Sequence, residues 1–192
     1  STFINIMINI IYAVGLNLIL GVAGQFSLGH AGFIAIGSYS GAILGKMMNG
    51  LPGLFAGMAV GVVISVIVAF LVGLPTLRLK GDYLAIATLG VAEIIRVAVT
   101  NMKITNGAAG ISGVPLTNTW TITYIALVVT TILILNYTFS SAGRATYAVL
   151  QDEIAAESMG VQVTKYKILA FVLGAATASI GGTLSATTLG AV

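Results

Sequence analysis

Long apolar runs, separated by short polar or glycine-containing stretches, organise the whole sequence. Each of six runs is long enough for a helix to cross a bilayer, for which about 20 residues suffice. They predict membrane-spanning helices at residues 3–22, 31–48, 54–74, 83–100, 120–138 and 166–186. Strands of a membrane barrel would be shorter and alternate in polarity, and in lipid only helices satisfy their own backbone. The pattern predicts an all-α, polytopic transmembrane helix bundle that forms one domain over residues 1–192.

The composition agrees with a membrane location and removes several other classes of protein. The chain is 58% hydrophobic and 7% charged, whereas a soluble domain carries about 25% charged residues. The net charge of +3 comes from cations spread over loop ends, so nothing indicates nucleic-acid binding. The sequence has no cysteine and one histidine, which excludes a disulfide and argues against a metal site.

The distribution of lysine and arginine predicts the orientation. Five cations lie in or beside two loops on one side of the predicted bundle, and two lie on the opposite side. The five are Arg78, Lys80, Arg144, Lys165 and Lys167, and the two are Lys46 and Lys103. The positive-inside rule places the five in the cytoplasm, so both ends of the chain are expected outside.

Glycines recur every four residues in two neighbouring predicted helices. The rows are Gly37, Gly41 and Gly45, and Gly53, Gly57 and Gly61. Small residues at this spacing let helix backbones approach closely in lipid. We therefore expect these glycines to serve helix packing. They do not form a phosphate-binding loop, because no Walker A lysine pattern or strand–GxGxxG–helix context accompanies them.

A polar interruption, GQFSLGH at residues 24–30, separates the first two apolar runs. Its glycines predict a broken helix, and Gln25, Ser27 and His30 can supply partners for the freed backbone groups. Broken helices in transporters line the translocation pathway. A polar turn in which Ser27 caps the next helix is an equally good interpretation. A catalytic role for Ser27 and His30 is weak, because no third orienting group or GxSxG elbow is present.

Glu93 and Arg96 lie inside the fourth predicted helix, and Glu93 is about 15 Å from its start at 1.5 Å per residue. Ionisable groups at this depth are costly and usually mark a substrate route. Their three-residue spacing also lets them neutralise each other. Two interpretations stay open, a self-paired brace that faces neighbouring helices and a polar wall of a pathway.

Two loop segments could contact other proteins. Residues 101–119 are polar, glycine-rich and predicted outside, which suits a flexible cap or a docking surface. Residues 140–165 contain Asp152 and Glu153, which can start a helix near 153–159, and Gly160, which is predicted to end it in a left-handed conformation. A helix this short needs something to lie against, either a groove in a cytoplasmic partner or the bundle of its own chain.

Four segments together resemble the permeases of branched-chain amino-acid ABC transporters. They are GLNLILGVAGQFSLGHAGFIAIGSY (15–39), GDYLAIATLGVAEIIRV (81–97), TNGAAGISGVP (105–115) and GRATYAVLQDEIAAESMGVQVTKYKILAF (143–171). The sequence looks most similar to the M-type subunit of the H/M permease pair, with urea- and amide-type permeases as close relatives. Members of the family usually extend beyond both ends of this chain, so we expect a fragment of a longer permease.

The resemblance implies an importer in a bacterial or archaeal cell (inner) membrane. An extracytoplasmic binding protein would deliver the amino acid, a second permease subunit would complete a heterodimer, and two cytoplasmic ATP-binding subunits would supply energy. The permease itself would be no enzyme and would hold no cofactor. The resemblance assigns an ATPase-coupling loop to Arg144, Asp152, Glu153, Ala155, Ala156 and Gly160. Ala155, Ala156 and Gly160 fit the importer pattern EAA…G, whereas Ile154 stands where glutamate would.

Two other classes of function compete with the importer. A secondary transporter or channel would use Glu93 and Arg96 for ion coupling, but it has no need of a short docking helix in segment 140–165. An intramembrane enzyme would need a nucleophile–base pair or a metal cluster, and the sequence offers neither.

Overall fold

A computed structural model describes residues 2–48 and 50–192 as a bundle of helices. The helices are α1 (Thr2–Asn17), α2 (His30–Met47), α3 (Leu51–Thr76), α4 (Asp82–Asn101), α5 (Trp120–Phe139), α6 (Ser141–Gln151), α7 (Glu153–Ser158) and α8 (Val163–Leu189). A π-helical turn, Leu18–Val22, continues α1, and a 3₁₀ turn covers Gly107–Ala109. The all-α prediction is confirmed, and a helix occupies each of the six predicted apolar runs.

Five helices in the described ranges are long and apolar enough to cross a membrane: α1 with its π turn, α3, α4, α5 and α8. The chain is therefore a multi-pass membrane protein. The second predicted span differs from the other five. Its helix, α2, has 18 residues, within the range of about 17–25 that can span a bilayer, but its apolar sequence is interrupted by polar residues that include His30, Ser40 and Lys46. It packs against α3, α4 and α8, so His30 and Ser40 are buried, whereas Lys46 near its end is exposed.

Helix α8 forms the centre of the bundle. It packs against α1, α2, α3, α5 and α6, and side chains around its whole circumference are buried. Many of them are small, including Gly174, Ala175, Ala178 and Gly182. Small residues allow several helix backbones to approach one another, which is how helices gain packing energy in lipid.

The two ends of the bundle hold different numbers of lysines and arginines. Helices α1 and α3 end, and α4 and α8 begin, at the end where α6 and α7 also lie. The five cations counted above are at this end, whereas Lys46 and Lys103 are at the other, as predicted. At that second end Lys46 Nζ donates a hydrogen bond to the Ser112 carbonyl (2.9 Å), and an isolated bridge joins Ser112 to Ala191.

The two glycine rows lie where helices cross closely. A Cβ added to Gly57 would be 2.8 Å from the Gly41 Cα, and one added to Gly37 would overlap the Ser179 backbone. The α2 row thus contacts α8 as well as α3. Gly45 differs, because its added Cβ would meet only Val114 and Pro115 side chains at 3.6 and 4.0 Å, which is ordinary contact.

Candidate functional site

The interruption at residues 24–30 is an extended stretch between the π turn and α2. Along it, exposure alternates from residue to residue: Gln25 and Ser27 are buried, whereas Phe26 and Leu28 are about half exposed. A period of two is characteristic of extended backbone, whose successive side chains point to opposite sides. The segment therefore presents a polar row to the inside of the bundle and an apolar row to the outside.

This segment runs into the bundle and does not lie across its end. Gln25 is at the level of Lys167, because its Nε2 donates to the Lys167 carbonyl (2.9 Å), and Gly37 is at the level of Ser179. Those two α8 residues are about 18 Å apart along the helix, whereas His30 to Gly37 accounts for about 10 Å. The remaining distance, about 8 Å, is covered by the extended stretch, so α2 begins inside the bundle.

The freed backbone groups of the segment find nearby partners. The Gln25 amide donates to the Ile19 carbonyl (2.9 Å) at the π turn, and the Leu28 amide donates to Oγ1 of Thr88 on α4 (3.0 Å). The alternative in which Ser27 caps α2 is wrong: Gly29 precedes the helix, with no side-chain cap. Ser27 Oγ instead accepts from the Gly29 amide (3.3 Å).

Several buried polar atoms of the segment have no hydrogen-bond partner. Within residues 2–48 and 50–192, none is found for Gln25 Oε1, and the only polar neighbour of the buried His30 ring is the backbone of Tyr12, which leaves at least one ring nitrogen without a partner. Buried polar atoms in proteins are nearly always paired, so each exception requires an explanation such as a water or a bound molecule. The break therefore places polar atoms that can still form hydrogen bonds inside the bundle.

Glu93 and Arg96 form the predicted pair on α4, but on its outer face. Arg96 donates to both carboxylate oxygens of Glu93, at 2.9 and 2.5 Å, and the two side chains are 56% and 63% exposed. A different face of α4 holds Thr88, which lies beside the break. The structure therefore does not bring the pair and the polar row of the break together, and the pair does not face helices of its own chain.

Segment 140–165 contains the predicted short helix. Asp152 caps α7, its Oδ1 accepting from the amides of Ile154 (2.9 Å) and Ala155 (3.1 Å). The helix ends at Ser158, and Gly160 has φ +85°. This left-handed conformation, which the sequence predicted, favours glycine because a β-carbon would clash there.

One side of α7 is fixed to its own bundle. Glu153 forms an ion pair with Lys167 at the start of α8 and a second, 3.4 Å pair with Lys80. Partial burial raises the pKa of the Glu153 carboxyl, but the hydrogen bonds and charges of Lys167 and then Lys80 lower it more, so the pKa lies below its usual value of 4.5. Ala156 is buried on this side of the helix.

The other side of α7 carries large apolar residues that nothing in the described chain covers. Ile154 is 77% exposed and Met159 84% exposed. In α6, Arg144 is tied to its own helix start, donating to the Phe139 carbonyl (3.3 Å) and to Ser141 Oγ (3.2 Å). These exposed apolar residues lie at the same end of the bundle as the five cations.

Sequence reasoning missed two parts of this arrangement. Helix α6 was not predicted, although its apolar and polar residues alternate with helical periodicity, a signal that was available. Lys167 was counted only as a loop cation, yet it is 9% exposed and paired with Glu153. Its fourteen-residue separation from Glu153 gave no sequence signal for the pair.

Comparison with known proteins adds a family to this geometry. The family model described as "Branched-chain amino acid transport system / permease component" matches residues 1–192. The high-affinity branched-chain amino acid transport system permease proteins LivM of Salmonella typhimurium and Escherichia coli are 36% and 35% identical over 97% of the chain. A probable LivM protein of Methanocaldococcus jannaschii is 26% identical over 88% of it. The chain spans 52% of each relative's length. No solved structure gives a significant match.

Proposed function

The chain belongs to the family of branched-chain amino acid transport system permease components, and from that premise we propose that it forms part of an ATP-driven amino-acid importer. In this proposal it lies in a bacterial or archaeal cell membrane, with α6 and α7 in the cytoplasm. A second permease subunit completes the route, two cytoplasmic ATPase subunits power it, and an extracytoplasmic binding protein delivers a branched-chain or similar small amino acid.

Helix α7 is the observation that carries this proposal. A cap at Asp152 and a left-handed Gly160 define it, Glu153 fixes one side to the bundle, and Ile154 and Met159 remain exposed on the other. A short helix offered in this way suits insertion into a groove of a partner. A secondary transporter has no use for such a surface, so its presence at the cation-rich end favours an ATPase partner.

The polar break supports a route through the membrane. Gln25, Ser27 and His30 place polar groups inside the bundle, and those of Gln25 and His30 include atoms without partners in the part of the chain that the structure describes. Irregular backbone at membrane depth is tolerated where protein or a water-filled cavity surrounds it. We infer that these residues line or shape the pathway of the amino acid.

The exposed ion pair supports a second protein or a water-filled route beside α4. Glu93 and Arg96 are at bilayer depth on the surface of this chain, where contact with lipid tails would be costly. In the proposed assembly the second permease subunit covers this face, or the two subunits enclose a pathway along it.

A pair of glycine substitutions tests the docking of α7. Gly160 and Gly113 both have positive φ, +85° and +73°, and an added Cβ would meet nothing within 4 Å at either. Valine therefore causes similar backbone strain, about 1 kcal/mol or more, at opposite ends of the bundle. In the full-length protein, Gly160→Val should weaken co-purification of the ATPase subunits and abolish ATP-dependent uptake, whereas Gly113→Val should leave co-purification intact.

The control makes the outcome specific to α7. Equal co-purification of the ATPases with both variants, together with normal uptake by Gly160→Val, would reject α7 as the coupling helix. Loss of co-purification in Gly113→Val as well would mean that strain in any loop disturbs assembly, and α7 would again lose its special role.

A further inference from the structure

Helix α7 and the polar break are connected through one buried residue, Lys167. Its ammonium pairs with Glu153 at the first position of α7. Its backbone carbonyl accepts a hydrogen bond from Gln25 Nε2 in the break (2.9 Å). Lys167 is 9% exposed and Gln25 is 2% exposed, so both contacts lie mostly inside the protein, whereas the Glu153 side chain is partly exposed.

A second contact joins the same two parts of the molecule. The side chain of Leu150, near the end of α6, occupies the space that a β-carbon at position 24 would need. Gly24 has φ +65°, which favours glycine at this position. The end of α6 thus contacts Gly24 at the start of the break directly. The next residue of the break, Gln25, is hydrogen-bonded to Lys167 of α8.

The contacts surround a small cavity that leaves room for movement. The cavity has a volume of about 140 Å³, and its lining includes Gln25, Phe26, Lys80, Leu150, Glu153 and Lys167. This is space for several water molecules. The Lys80 side chain, by contrast with Lys167, is 72% exposed, and an exposed pair of this kind contributes little. The buried Lys167 pair is therefore the firm connection.

We propose that Lys167 is a positioning residue that transmits displacement of α7 to the polar break. When α7 moves, the ion pair carries the start of α8 with it, and the hydrogen bond from Gln25 makes the break follow. A continuous series of packed contacts can couple two sites when the state of each site shifts the position of the same structural element. The inference rests on the proposed function, because it takes α7 as the helix on which the ATPases act.

The experiment uses the full-length permease in proteoliposomes with its partner subunits and compares three variants. Lys167→Gln removes the buried charge. Lys165→Gln, two residues away on α8, is the matched control. The charge swap Glu153→Lys with Lys167→Glu restores a pair of opposite sign. Two quantities are measured, the uptake of labelled leucine per ATP hydrolysed and the nucleotide-dependent change in maleimide labelling of Phe26→Cys, introduced into a cysteine-free background.

We expect Lys167→Gln to assemble and hydrolyse ATP but to lose about tenfold in uptake per ATP, a size typical of coupling between sites. Labelling of Phe26→Cys should no longer respond to nucleotide, a property that a merely structural role would not affect. Lys165→Gln should behave like the wild type, and the charge swap should recover both signals.

Different failures separate the inference from its premise. Uptake that needs no ATP in the wild type would refute the proposed function and the inference with it. ATP-dependent uptake with unchanged coupling and labelling in Lys167→Gln would overturn the inference alone. If Lys167→Gln does not assemble, the charge swap decides: assembly with coupled uptake supports the transmission role, and assembly without it contradicts that role.

Discussion

Alanine at Gly37 tests the close approach of α2 to the central helix. The added Cβ would lie 2.6 Å from the Ser179 Cα and 2.7 Å from its carbonyl carbon, and closer still to the carbonyl oxygen. These are backbone atoms, which cannot turn aside as a flexible side chain can. Ordinary contact begins at 3.4 Å, so α2 and α8 must separate locally by at least about 0.8 Å, and by more to clear the carbonyl oxygen.

The cost follows from what a separation of this size does to packing. A gap of about 0.5–1 Å forfeits a quarter to a half of the attraction at each contact, and overpacking of a well-filled interior typically costs about 1–3 kcal/mol. Replacing glycine by alanine within a helix stabilises the folded state by about 0.5–1 kcal/mol, which offsets part of this cost. We expect Gly37→Ala to destabilise the protein by about 1–2 kcal/mol, and to lower its Tm by about 2–8 °C.

Gly45 provides the control on the same helix. Its added Cβ would meet Val114 Cγ1 at 3.6 Å and no backbone atom within 4 Å, so Gly45→Ala should match or slightly exceed the wild-type Tm. The measurement is thermal unfolding of the two full-length variants in detergent, followed by loss of the monodisperse species. Equal Tm values for Gly37→Ala and Gly45→Ala would refute the backbone contact between α2 and α8.

Two further predictions concern charges. Glu93→Gln leaves the charge of Arg96 uncompensated at bilayer depth, so this single variant should impair assembly more than the double variant Glu93→Gln, Arg96→Gln. If the double variant assembles fully but takes up no amino acid, the pair belongs to the substrate route and is not a brace. Because the pKa of Glu153 lies below its usual 4.5, its pairing stabilises the protein above about pH 4.5 and is lost as the pH falls through the lowered pKa. As the pH falls from about 4.5 to the lowered pKa of Glu153, the Tm of the wild type should fall more steeply than that of Glu153→Gln. Parallel plots of Tm against pH for the two proteins would contradict the pairing.

The apolar pattern predicted the helices well because length and hydropathy decide them in lipid. The helix of the second run, α2, begins at His30, one residue from its predicted start, but the depth at which it begins was not predicted. The stretch GQFSLGH runs about 8 Å into the bundle before His30 starts the helix. This depth depends on the contacts of Gln25 with α8 and of Leu28 with α4, and such long-range contacts leave no local pattern.

The candidate site was predicted only in those parts that local chemistry determines. Asp152 as a cap and Gly160 at positive φ follow from rules that act within one turn, and both are confirmed. The spacing of Glu93 and Arg96 predicted their pair, but the face of α4 that carries it depends on which helices pack beside α4. Lys167 was missed because its partner Glu153 comes from another helix.

The most direct test of the proposed importer is the energy source of transport. The full-length permease, with its second permease subunit, ATPase subunits and binding protein, would be reconstituted in proteoliposomes, and uptake of labelled leucine measured with ATP supplied on the side that carries α7. The account predicts uptake that requires ATP hydrolysis and persists when ionophores abolish proton and sodium gradients. Uptake that follows an ion gradient without ATP, and that disappears in Glu93→Gln, would contradict it and favour a secondary transporter.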